Sequence, residues 1–88
     1  MTSPVTPNSG AVAELTYDAG DMGCGEGLHM EFRRRVQALD VGGTIEFIVR
    51  DPSAKEDLPS CARMLGHRVR SMDDRADGAL SVIVERAR

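Results

Sequence analysis

Between Leu28 and Leu39 the apolar positions fall at Leu28, Phe32, Val36 and Leu39, with Glu31, Arg34 and Gln37 on the opposite side. Steps of four, four and three residues trace one stripe of a helix. Asp40 and the run Val41-Gly42-Gly43 end it, because glycine accepts the left-handed conformation of a C-terminal cap. The segment 44–50, TIEFIVR, alternates instead: Ile45, Phe47 and Val49 share one face and Ile48 takes the other, which predicts a strand. Upstream, 11–18 also alternates, with Ala13, Leu15 and Tyr17 on one side of a half-buried strand. Ala54, Leu58, Cys61, Ala62 and Leu65 form a second helical stripe. Ser53 with Glu56 has the spacing of a capping box, and Pro59 interrupts the stripe. The expectation is a turn over 51–56 and a helix starting near Leu58, ended by Gly66. Two further strands follow at 67–73 and 79–86, joined by a hairpin turn in Asp74-Arg75-Ala76-Asp77-Gly78.

The order is therefore strand, helix, strand, helix, strand, strand. Right-handed crossovers place both helices on the same side of the sheet. The predicted fold class is α+β: a two-layer βαβαββ sandwich, with two helices packed on one face of a four-stranded mixed sheet. Residues 1–10, rich in Pro, Ser, Thr and Gly, read as a disordered tail, and 11–88 as a single domain.

The chain has 88 residues, enough for one small domain. With only Tyr17, Phe32 and Phe47 as aromatics, its core must come from Leu, Val, Ile, Met and Ala. A formal charge of −3 lacks the basic footprint expected of a nucleic-acid-binding domain. No apolar run approaches the roughly 20 residues that span a bilayer, and the N-terminus has no signal-peptide pattern. These features predict a cytoplasmic, monomeric protein without nucleic-acid or membrane partners. In that compartment Cys24 and Cys61 are expected as free thiols. Cys61 lies on the apolar stripe and reads as a core residue.

Cys24 is different, because it stands among glycines in Gly20-Asp21-Met22-Gly23-Cys24-Gly25-Glu26-Gly27. Asp18-Ala19, Cys24, Gly43-Thr44-Ile45, Asp51-Pro52, Asp57-Leu58-Pro59 and Gly66-His67 occur in an order and at spacings that resemble the TusA/SirA-like family of small sulfur carriers. The resemblance spans about residues 15–86 and implies the same βαβαββ sandwich. It also implies sulfur relay: Cys24 would be the catalytic cysteine, loaded as a persulfide. The donor would be a cysteine desulfurase or a rhodanese, and the sulfur would pass to an acceptor protein without a cofactor. The family's Cys-Pro-x-Pro is replaced by Cys24-Gly25-Glu26-Gly27, so both signature prolines are missing.

A cysteine opening a helix sits near the positive end of its macrodipole, which stabilises a thiolate and a persulfide anion alike. Gly25, Glu26 and Gly27 are the binding candidates around it. The two glycines restore backbone N–H donors that prolines would lack, at the expense of rigidity. If the helix starts here, proline at 25 and 27 would suit its first turn. Glu26 is a dipole-favoured acid or a general base. Successive glycine N–H groups can also form an anion nest. The alternative reading is thus a non-enzymatic binding or regulatory module of the same fold, with an anion held at the loop. The spacings Cys24-x4-His29 and Cys61-x5-His67 do not match closed zinc sites, so no metal is expected. Arg33, Arg34, Arg35, Arg63, Arg68 and Arg70 are a solvated surface or a basic docking face for acidic partners.

Overall fold

The computed structural model describes residues 13–88, with only the main chain of Cys24 included. The tail expected over 1–10, and the first residues of the strand expected from 11, lie outside the described residues. The remaining elements are β1 (Leu15–Asp18), a 3-10 turn η1 (Cys24–Glu26), α1 (Leu28–Gln37), β2 (Thr44–Val49), α2 (Pro52–Met64), β3 (Arg68–Asp74) and β4 (Leu80–Glu85). The sheet order is β1-β2-β4-β3. β1 runs parallel to β2, and β4 is antiparallel to both β2 and β3. β2 and β3 are therefore parallel to each other with β4 between them. Each crossover, β1-α1-β2 and β2-α2-β3, brings a helix onto the sheet, and the fold is the mixed α+β sandwich expected.

Periodicity explains which side is filled. Leu28, Phe32, Val36 and Leu39 from the first helical segment join Ala54, Leu58 and Ala62 from α2 over Ile45, Phe47, Val49, Val82 and Val84 of the sheet. All twelve are buried, and burying a Leu, Val, Ile or Phe side chain is worth about 1.5–3 kcal/mol each. The three aromatics form one row: Phe47 meets Phe32 at 5.0 Å and Tyr17 at 6.0 Å, and the Arg35 guanidinium lies 3.9 Å above the Tyr17 ring. Ile48 points to the other sheet face, as the alternation requires.

One element departs from the sequence pattern. α2 is continuous from Pro52 to Met64 and carries Pro59 in its interior, where a break was expected. Pro59 cannot donate to the carbonyl of Lys55, a loss that usually costs a helix about 3 kcal/mol. Pro59 itself is buried, and Ala54, Leu58 and Ala62 on the same helix are fully enclosed, so packing on both sides of the proline outweighs the missing bond. The cap also differs. Pro52 takes the first helical position, where its fixed φ is an advantage. Asp51, rather than Ser53, is the N-cap and accepts from Ala54 N–H at 3.1 Å.

Candidate functional site

The cysteine loop is built from both ends. On the β1 side, Ala19 N–H donates to Ile48 at 2.8 Å and Gly20 N–H to the Asp18 carboxylate at 2.8 Å, so the chain leaves the sheet in a defined turn. Cys24 then opens η1. Gly23 packs directly on the cap of α2: a Cβ at position 23 would lie 3.1 Å from the Asp51 carboxylate oxygen. A larger residue there would press on the side chain that caps α2. Glu26 closes the turn in two ways, its N–H donating to Gly23 O at 3.0 Å and its Oε1 accepting from Gly23 N–H at 2.7 Å.

The first helix starts at Leu28, where its apolar stripe begins, and the expectation that Cys24 opens it is corrected. Gly27, at φ +97°, is both the end of η1 and the N-cap of α1, whose first bond runs from Glu31 N–H to Gly27 O at 3.1 Å. Cys24 thus begins a separate single turn, with a left-handed glycine between it and the ten-residue helix. Backbone N–H groups near Cys24 belong to η1, whose first donors have no acceptor within so short a turn. The expectation that proline suits both flanking glycines is corrected for Gly27, because φ +97° is closed to proline. Gly25 has an open Cβ direction and an ordinary negative-φ environment.

The surface beside the loop is acidic. A shallow depression of about 480 Å³ is lined by Asp21, Glu26, Asp51 and Asp57, with Ser53, Gly23 and Gly25. Four carboxylates oppose a bound anion, and Glu26 is already committed to Gly23. Two of the loop's N–H groups, those of Gly23 and Glu26, are already paired within the turn, and the surroundings work against an anion there.

The other sequence candidates separate in space. Cys61 is half-buried in a groove between α1 and α2, with His29 and Arg33 on one side and Asp57 and Met64 on the other. Burial pushes its thiol up, and Asp57 adds to that, against a smaller opposing pull from Arg33 than from burial. His67 is buried, at 6% exposure, because α2 ends in a Schellman motif: Gly66 at φ +88° donates to Arg63 O at 3.0 Å and His67 N–H donates to Ala62 O at 2.9 Å. The six arginines do not make one docking face. Arg34 and Arg35 pair with Glu31, and Arg68 and Arg70 lie on β3 and pair with Glu85. Sequence reading missed Arg86, which donates to the Gln37 and Leu39 carbonyls and to the Gln37 side chain, capping the C-terminal end of α1 from 47 to 49 residues away. A basic residue near those last carbonyls is favoured by the dipole, but no local spacing could have revealed it.

A helix-covered split sheet with a cysteine turn on its rim defines a small two-layer α+β protein of the SirA-like kind. The crystal structure of the SirA-like protein from Desulfitobacterium hafniense matches with a TM-score of 0.70 and 17% identity, covering 84% of this chain and 99% of that one. In sequence, the family model described as Sulfurtransferase TusA matches residues 10–86. The Sulfur carrier protein TusA of Pseudomonas entomophila (strain L48) is 30% identical over 76 residues, which is 86% of this chain and 94% of that protein. The chain belongs to the TusA sulfurtransferase family. Among the described residues no helix is long and apolar enough to cross a membrane.

Proposed function

We propose that this protein is a sulfur carrier that relays sulfane sulfur between two protein partners on Cys24. The observation that carries the reading is the position of Cys24 at the first residue of η1, held between the Gly23–Glu26 clamp and the α2 cap, in a chain matched by the TusA family model over residues 10–86. The Cys24 thiolate attacks the outer sulfur of a donor persulfide, on a cysteine desulfurase or a rhodanese. A new S–S bond forms on Cys24, the donor's S–S bond breaks, and the donor leaves as a thiolate. The acceptor's thiolate then attacks the outer sulfur and Cys24 is released as a thiolate. The exchange is redox-neutral and needs no cofactor. Gly25 gives partner active sites close access to the main chain, Glu26 holds the turn, and Gly27 sets the angle between the turn and α1. The carrier works as a cytoplasmic monomer in this reading.

The test is intact-mass analysis after incubation with a desulfurase and cysteine. Wild type and Cys61→Ala should each gain about one sulfur atom, and Cys24→Ala none. Loading that persists in Cys24→Ala overturns the proposal. The carboxylates around the loop oppose a ligand anion held there, the alternative reading, and they oppose the Cys24 thiolate in the same sense, so the loading assay and not the field decides between the two.

A further inference from the structure

A second concave feature lies toward the C-terminal end of α1, away from the cysteine turn at the N-terminal end. It is a cleft of about 250 Å³ lined by Arg33 and Gln37 of α1, Leu65 and His67 after α2, and Arg86 and Arg88 after β4. Three arginines and a buried histidine surround it, and among the described residues no acidic side chain lines it, in a chain whose net charge is −3. None of the three arginines pairs with a carboxylate side chain among the described residues, whereas Arg34, Arg35, Arg50, Arg68, Arg70 and Arg75 all do. We propose that this cleft is a binding site for a small doubly charged oxoanion, gripped by Arg33 and Arg88 and the ring N–H of His67.

The donors are arranged by the fold. His67 Nδ1 accepts from Ala87 N–H at 3.1 Å, so the neutral ring carries its proton on Nε2, which has no hydrogen-bond partner among the described residues. Arg88 lies across Gly66: a Cβ there would come within 2.5 Å of Arg88 Cδ, so the glycine that ends α2 also seats the arginine. Arg86 is spent on the carbonyls of Gln37 and Leu39 and contributes charge more than free donors. The C-terminal ends of α1 and α2 both approach the cleft, and each carries about half a negative charge. Against three guanidiniums that leaves a positive site. Burial, Arg86 and Arg88 all hold the His67 pKa below its ordinary 6.5, and Arg33 faces it from α1. A bound dianion offsets that pressure on the ring, while the Ala87 N–H on Nδ1 keeps the neutral form with its proton on Nε2 toward the cleft. The volume is below the roughly 300–1,000 Å³ of drug-sized pockets, which suits a free inorganic ion. The Arg33 and Arg88 guanidiniums and the His67 ring N–H that line the cleft offer more donors than one carboxylate's two oxygens absorb.

Inorganic phosphate, thiosulfate and acetate, titrated at matched ionic strength while the His67 ring signals are followed by NMR, test the site. Matching matters because exposed charges are screened. Phosphate or thiosulfate should saturate the His67 shift, and the tighter of the two names the source of the oxoanion. Arg33→Gln and Arg88→Gln should each weaken binding about tenfold or more, the scale of a lost charge-assisted hydrogen bond. Arg34→Gln removes the same charge outside the cleft and should leave affinity unchanged. All three positions are exposed, so folding is not at stake. No saturable shift, tighter binding of acetate, or equal weakening by Arg34→Gln overturns the proposal.

Discussion

The Glu26 carboxylate accepts a 2.7 Å hydrogen bond from Gly23 N–H, and the Glu26 N–H returns one of 3.0 Å to Gly23 O. This reciprocal pair brackets Cys24 and Gly25, so the two residues between are held although one is glycine. In the absence of the family's prolines, the clamp is the local device that sets the cysteine turn.

Glu26→Ala should therefore lose about 1 kcal/mol of stability, the net worth of one hydrogen bond, and should load sulfur more slowly. Glu26→Gln keeps an acceptor and should retain most of both. Thermal melts beside single-turnover loading check this. Equal loading rates in Glu26→Ala and wild type would show that the clamp does not position Cys24.

The flanking glycines are not equivalent. Gly27→Pro should destabilise by more than about 1 kcal/mol, since φ +97° cannot be reached by a ring fixed near −65°. Gly25→Pro should be neutral or stabilising by up to about 1 kcal/mol through the unfolded chain. Denaturant midpoints of the two single variants decide the matter. Similar values for both would mean that the left-handed step at Gly27 is absent in solution.

Cys61 should alkylate more slowly in the native protein than in the unfolded chain. Burial raises its folded pKa above the ordinary 9.0, so the thiol's contribution to stability is fully present below that value. It is lost as pH rises through the folded pKa. Mass-resolved labelling with and without denaturant reads the difference, and equal native and unfolded rates at Cys61 would contradict its half-buried place on α2.

His67 predicts the opposite slope. Burial first, then Arg86 and Arg88, lower its folded pKa below 6.5, so its stabilisation is present above 6.5 and lost as pH falls through the folded value. Melting temperatures should decline on acidification below that point. His67→Asn, which keeps an acceptor for Ala87 N–H, should flatten this part of the profile. An unchanged profile in His67→Asn would assign the acid sensitivity to other groups.

Periodicity alone determined the elements, because a stripe such as Leu28, Phe32, Val36 and the alternation Ile45, Phe47, Val49 can be buried in only one way each. The ordered short motifs pointed to Cys24 and to the family before any packing was known. Other features were decided by tertiary structure. Pro59 looks like a break until α2 is seen buried on both sides of it, where packing exceeds a single lost hydrogen bond. Gly27 could have been an ordinary helical residue. Its left-handed φ is where η1 ends and α1 begins, a junction that no apolar spacing marks. Arg33, His67, Arg86 and Arg88 carry no shared spacing along the chain. They meet because the ends of α1, α2 and β4 converge, and a contact across more than fifty residues has no local signature.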